Sequence, residues 1–285
     1  MKASLECISC FVRQALETAR LVSEDTAVHE RIIRDLLHLA GEMDFAQSPP
    51  ALGQRIHRRL REITGVKDPY RTIKDRHNRI AMELYSELKS RIEDASDSFT
   101  MAVQLAIAGN VIDLGAKHGS YEVDVFSSLQ RALAETIVGD MEFFRKTAGG
   151  ARRILYLADN AGEIVFDRLL IEQLSPERIT MAVRGAPVIN DATMEDAHAA
   201  GIHDIVEVID NGSDAPGTLL EDCSRQFQHR FSQADLVIAK GQGNFETLSN
   251  ERHNIFFLFK IKCPVIATHV GLPVGAHVVI HSDAR

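Results

Sequence analysis

The sequence is short of the features that mark secreted, membrane-bound or nucleic-acid-binding chains. Its 285 residues hold four cysteines, too few for a disulfide framework at this length. The first 21 residues, MKASLECISCFVRQALETARL, contain no continuous apolar stretch, because Glu6, Arg13 and Glu17 interrupt it. That pattern argues against a signal peptide or membrane span there and predicts a cytoplasmic protein. Basic charge is scarce as well: 32 Lys+Arg against 40 Asp+Glu give a formal charge of −8, which speaks against a broad footprint for nucleic acid or anionic membrane. The expected partner is small. What the chain does have is 45% apolar residues, enough to bury one large core or two modest ones.

Up to about residue 150 the apolar residues recur every three or four positions, as in Phe11, Ala15, Ala19 and Val22, or Ile80, Leu84 and Leu88. This spacing predicts helices over 3–22, 25–43, 51–63, 74–94, 96–117 and 121–147. From Arg152 onward short apolar runs alternate with helical stretches: ILYLA at 154–158, ITMAV at 179–183, IVEVI at 205–209, DLVIA at 235–239, IFFLF at 255–259 and PVIAT at 264–268. Such an order predicts a Rossmann-like, mostly parallel sheet flanked by helices, since parallel strands need crossover connections. The fold class is α/β, with a helical region over 1–150 packed on an α/β domain over 151–285.

Ligands of open parallel sheets bind beyond the carboxyl ends of the strands, and the residues there are polar in this chain. Asp159, Asn160 and Glu163 follow the first run, Arg184, Asn190 and Asp191 the second, and Lys240, Gly241, Gly243 and Asn244 the fourth. Asp159, Asn160 and Asp191 offer hard oxygen ligands without histidine or thiolate, which suits Mg²⁺ or Mn²⁺ with open water positions. Helix capping would account for Asp159 or Asn160 alone. It does not account for a second carboxylate, an arginine and a lysine at the same edge. Lys240 before GQGN offers an ammonium beside freed backbone N–H groups that can share an anion with it. The spacing is neither GxxxxGKS nor GxGxxG, so neither an NTPase nor a dinucleotide fingerprint is supported.

Other polar residues admit two readings each. Asn110 and Asp113, three apart in an apolar stretch, share one helix face and either stitch the halves together or line the cleft. Cys7 and Cys10 form a CxxC, a redox pair or half a metal site on one reading and packing residues on the other, with Cys263 as a third thiol that folding could bring near. His57, His77, His118 and His269 belong to no metal or triad pattern and read as structural.

Taken together, DNAGEIVFD (159–167), VRGAPVINDATMEDA (183–197), AKGQGNFETL (239–248), GNVID (109–113) and the CxxC resemble the damage-control phosphatase family, long labelled domain of unknown function eighty-nine, in its short archaeal and bacterial branch with an N-terminal CxxC. The matches run in order along nearly the whole chain. The resemblance implies metal-dependent phosphomonoester hydrolysis with Mn²⁺, Co²⁺, Ni²⁺ or Mg²⁺, acting on sugar phosphates or nucleotide- and cofactor-related phosphates, damaged forms included. It places Asp159, Asn160 and Asp191 on the metal, Lys240 on the phosphate, and Glu163, Arg184, Asn110 and Asp113 along the site. In this scheme Asp159, Glu163 and Lys240 serve catalysis, and Arg184, Asn110, Asp113, Lys240 and Asn244 hold the substrate, a small phosphorylated metabolite. Two rivals differ in class: a non-catalytic phosphate-binding module, which would bind without turnover, and a redox or metal sensor centred on Cys7 and Cys10, which Cys7→Ser would disable.

Overall fold

The computed structural model describes residues 1–109 and 129–283. The helical periodicity resolves into α1 (Glu6–Val22), α2 (Thr26–Gly41), α3 (Pro49–Thr64), α4 (Arg71–Glu93) and α5 (Ser98–Ala108). Asp25 caps α2 by accepting the Ala27 N–H at 2.8 Å, and Pro49 opens α3 where no intrahelical N–H is needed. The first three helices close a small core of their own around Phe11, Ile32, Leu36, Leu52 and Ile56. By contrast α5, SFTMAVQLAIA, is apolar on nearly every side and is buried against the sheet layer.

The remaining elements alternate: β1 (Ile137–Gly139), α6 (Met141–Gly150), β2 (Ile154–Leu157), α7 (Glu163–Glu172), β3 (Ile179–Val183), α8 (Met194–Ala199), β4 (Glu207–Asp210), α9 (Arg225–Gln233), β5 (Leu236–Lys240), α10 (Gly241–Leu248), β6 (Ile255–Lys260), α11 (Pro264–Val270) and β7 (His277–His281). They form one seven-stranded sheet in the order β1-β7-β6-β5-β2-β3-β4. Among the described residues the strand pairings are parallel except β6–β7, which is antiparallel. Ile154 and Tyr156 face the layer of α4, α5 and α7, whereas Leu155 and Leu157 face that of α9, α10 and α11. Burial on both faces is why these strands read as continuous apolar runs instead of alternating ones.

Three expectations change. The helix over 121–147 gives way at Ile137–Gly139 to an edge strand, where a Cβ on Gly139 would collide with the Val279 carbonyl. PVIAT is the start of α11, not a strand: Pro264 takes the first helical position and Gly271, at φ 76°, ends the helix in the left-handed region. β7 (His277–His281), antiparallel to β6, is a strand that the apolar-run pattern does not mark. Among the described residues no helix is long and apolar enough to cross a membrane.

Buried polar links fasten the helices to the sheet edge. Asp196 accepts from Arg71 and Asn78 and pairs with Lys74 at 2.8 Å, and Asp214 accepts from Gln54 and Arg58. His57 on α3 is bonded to Gln14 on α1 at 3.1 Å; burial, then the nearby Arg61 charge, push its pKa down to about 4. The unfolded chain therefore takes up a proton near pH 6.5 that the folded chain refuses until about pH 4. Stability from this group is full above pH 6.5 and falls as the pH drops, by about 3 kcal/mol in all. Urea midpoints measured between pH 7 and pH 4 should show this loss, and His57→Gln should flatten it.

Candidate active site

The chain reverses its direction of winding between β2 and β5: from β2 it proceeds outward to β3 and β4, then returns to place β5 and β6 on the other side. The crevice at such a switch point is where open α/β sheets bind ligands. Asp159 and Asn160 leave the end of β2 and Gly241 leaves the end of β5, so both meet here. The loop after β3 is zipped alongside them: Ala192 N–H donates to the Asp159 carbonyl at 2.8 Å, Ala161 N–H donates to the Asn190 carbonyl at 2.9 Å, and Asn160 forms an antiparallel bridge with Asp191. That zipper brings Asp191 to the Asp159–Asn160 pair. Ile189 in the same loop has φ 45°, a strained conformation for a β-branched residue, held by these bonds on the cavity wall.

The carboxylates are buried. Asp159 is 7% exposed and Asp191 4%. Burial, followed by repulsion from Glu163 and Asp191, pushes the Asp159 pKa up to about 7. Burial also raises Asp191, against the pull of Arg184. The Asn160 amide nitrogen donates to Asp159 at 2.7 Å and Glu163 at 3.0 Å, which leaves its Oδ1 as the donor atom toward a cation. Counting outward, four carboxylates (Asp159, Glu163, Asp167 and Asp191) face two buried cations, Lys240 and Arg184, a formal excess of two negative charges.

Lys240 does not line the cavity. It is fully buried, and its ammonium donates to the Ala106 carbonyl at 2.7 Å, Glu163 at 2.8 Å and Asp167 at 2.6 Å, so all three protons serve internal acceptors. Those two carboxylates hold its pKa well above the ordinary lysine value despite burial. Tyr156 donates its hydroxyl to Asp167 at 2.8 Å and completes the set. Arg184 donates to Asp191 at 2.7 Å and reaches Thr218 and Asn244 at 3.3 Å. Asn244 in turn donates to the Lys240 carbonyl at 2.7 Å. Lys240, Arg184 and Asn244 thus form a layer behind the carboxylates. Asn110 and Asp113 lie outside the described residues; Gly109 just before them packs on Glu163 so tightly that a Cβ would sit 3.1 Å from its Cγ.

In front of the carboxylates opens a cavity of about 760 Å³, within the range of small-molecule sites. The loops after β2, β3 and β6 supply Asp159, Asn160, Asp191 and Lys262, α10 supplies Gln242 and Glu246, and α1 and α4 supply Gln14, Glu17, Arg20, Arg76 and His77. Sequence reasoning missed the helical wall and Lys262. His77, expected to be structural, stands on that wall, and Gly162 abuts its Cβ. Lys262 is exposed and its charge lowers the pKa of both Asp159 and Asp191. A second hollow of about 930 Å³ lies at the amino ends of the strands, beside Arg152, Arg178 and His203, and gathers no buried carboxylate set.

Among the described residues no three His, Cys, Asp or Glu side chains converge on one point. The residues placed to face a cation are two carboxylates and an amide, all hard oxygen, in a cluster with more buried carboxylates than buried cations. Its chemistry fits a divalent cation that retains water.

The family model for the damage-control phosphatase ARMT1-like domain matches residues 3–278. A protein named damage-control phosphatase from Archaeoglobus fulgidus is 35% identical over 96% of this chain and 97% of its own. Another of that name from Pyrococcus horikoshii is 34% identical with both chains fully covered. The crystal structure of a DUF89 family protein from Pyrococcus horikoshii superposes with a TM-score of 0.91 at 33% identity, over 99% of this chain and 100% of that one.

Proposed function

Because the chain belongs to the damage-control phosphatase ARMT1-like domain family, we propose that it hydrolyses small phosphomonoesters, sugar phosphates or nucleotide- and cofactor-related phosphates, with a divalent cation held by Asp159, Asn160 and Asp191. The observation that carries the reading is the buried oxygen cluster at the sheet's switch point, richer in buried carboxylates than in buried cations, with a substrate-sized cavity before it. Mn²⁺, Co²⁺, Ni²⁺ or Mg²⁺ bound there would offset phosphoryl charge and acidify a bound water.

The chain's own residues divide the remaining work. Lys262, on the cavity wall, meets the phosphoryl oxygens and offsets the charge they gather. Arg184 fixes the Asp191 carboxylate, and Glu163 turns the Asn160 amide so that its oxygen faces outward. Both Glu163 oxygens are occupied, one by Lys240 and one by Asn160, which makes it a positioning residue here and not a proton carrier. Lys240 acts one layer deeper, neutralising Glu163 and Asp167; to touch a phosphoryl oxygen it would have to release one of three short bonds. The strands exclude water from behind, and α1 and α4 cover the front.

The test is phosphate release from a panel of sugar phosphates, nucleotides and para-nitrophenyl phosphate by metal-stripped protein with each cation restored singly. Silence across the panel by folded, cation-binding protein would favour a binding module instead. Within that assay Lys262→Ala should lower kcat/KM about 10²-fold, the usual cost of removing one charge-stabilising donor. Its cation affinity should match the parent, because Lys262 donates no ligand.

A further inference from the structure

The phosphatase reading uses none of the four thiols; Cys223 is buried in the core, whereas Cys7 and Cys263 sit near the cavity residues Glu246 and Gln242, with Cys10 one helical turn from Cys7. Cys7 and Cys10 lie in the first turns of α1, where helical geometry sets their Cα atoms about 5 Å apart, inside the span of about 4.4–6.8 Å that a disulfide bridges. Cys10 is exposed, and the Arg13 guanidinium donates to its sulfur at 3.6 Å. Cys7 is half-buried, with the Ser4 hydroxyl 3.9 Å from its sulfur. Burial raises the Cys7 thiol, and the charges of Glu246 and Cys263 add to the effect. Cys263 accepts from the Gln242 amide at 3.7 Å, and the same amide donates to Glu246 at 2.8 Å.

Two physical links run from this turn to the cavity. Cys10, Gln14, Glu17 and Leu21 fall on one face of α1 at helical spacing, and the last three line the cavity. The Met1 ammonium donates to the carbonyl of Glu246, another lining residue, at 2.6 Å. The turn itself is loosely held: Leu5 makes no side-chain cap, and the Cys7 and Ile8 N–H groups bond to Ser4 and Leu5 in the tighter three-residue pattern.

We propose that Cys7 and Cys10 are a redox-active dithiol whose oxidation to a disulfide weakens binding of the phosphate ligand in the adjacent cavity. With hydrogen peroxide as oxidant, the Cys10 thiolate attacks one peroxide oxygen, the O–O bond breaks, and the departing hydroxide is protonated to water, leaving a sulfenic acid. The Cys7 sulfur then attacks the Cys10 sulfur and a second water leaves. Two electrons and two thiol protons pass to the peroxide, which ends as two waters. Closing the S–S bond to about 2.05 Å tightens the first turn and pulls on both links.

The effect on affinity rests on the phosphatase reading; the thiol chemistry does not. The test treats the full-length protein, loaded with Mn²⁺, with hydrogen peroxide, then compares intact mass, peptide map, calorimetric affinity for inorganic phosphate and KM before and after reduction. Expected are loss of the mass of two hydrogens, a Cys7–Cys10 linkage, and a several-fold weaker phosphate affinity and higher KM, all reversed by dithiothreitol. Cys10→Ser should block each change, and Cys263→Ser should leave each intact. A Cys7–Cys263 linkage, a Cys10 sulfinic acid without disulfide, or a disulfide with unchanged phosphate affinity would each overturn the proposal. If phosphate affinity shifts while no phosphoester is hydrolysed in either state, the dithiol stands and the phosphatase reading falls.

Discussion

Replacing Lys240 with alanine is expected to destabilise the protein by about 3–5 kcal/mol, the range found when one partner of a buried ion pair is removed. The substitution strips the cation from Glu163 and Asp167, both buried, and frees the Ala106 carbonyl. The deficit should depend on pH in a defined direction. Burial already pushes Asp167 up to about 6, and Lys240 is the strongest influence opposing that rise. Without Lys240 the carboxyl rises further, above its unfolded value, so its penalty is largest at high pH and fades as the pH falls toward the unfolded value. Urea denaturation of Lys240→Ala at pH 8 and pH 5 should show the gap from the parent narrowing at pH 5. A variant as stable as the parent at pH 8 would mean that the lysine is not the counter-charge of this cluster.

Gly241→Ala should cost activity more than stability. Gly241 stands at φ 79° directly against Asp159, and a Cβ there would collide with both carboxylate oxygens. Left-handed backbone strain accounts for about 1–3 kcal/mol of lost stability. The larger effect is on turnover, because the collision displaces a proposed ligand, and a misplacement near 1 Å costs on the order of 10²-fold. A thermal melt together with kcat measured at saturating Mn²⁺ separates the two. Unchanged kcat would show that Asp159 can shift without consequence and would remove it from the centre of the site.

The sheet was legible because its inner strands are buried on both faces: ILYL, ITMAV and IFFLFK stand out as apolar runs whatever their neighbours. Edges and ends were harder. β1 has three residues and exists only through pairing with β7, a partner 140 positions away in sequence. PVIAT has strand-like composition, and only its setting, Pro264 at the helix start and Gly271 at the end, makes it helical. Asp159, Asn160 and Asp191 stood out because they follow strands, and the structure brings the three together there because topology forces convergence.

Depth was not legible. A lysine that follows a strand reads as a cavity cation, but Glu163 and Asp167, one turn apart on α7, turn inward and capture Lys240. Asp167 lay within the motif that suggested the family and carried no separate signal. His77 and Lys262 reach the cavity from α4 and from the loop after β6, contacts that no local spacing encodes.

The central claim is that Asp159, Asn160 and Asp191 hold a divalent cation on which phosphoester hydrolysis depends. Its most direct test is a calorimetric Mn²⁺ titration of metal-stripped parent and Asp191→Ala proteins, with phosphate release from a sugar phosphate followed on the same samples. The parent should show one site, with hydrolysis rising in step with its occupancy, and a folded Asp191→Ala variant should lose both. Mn²⁺ bound as tightly by Asp191→Ala as by the parent would contradict it.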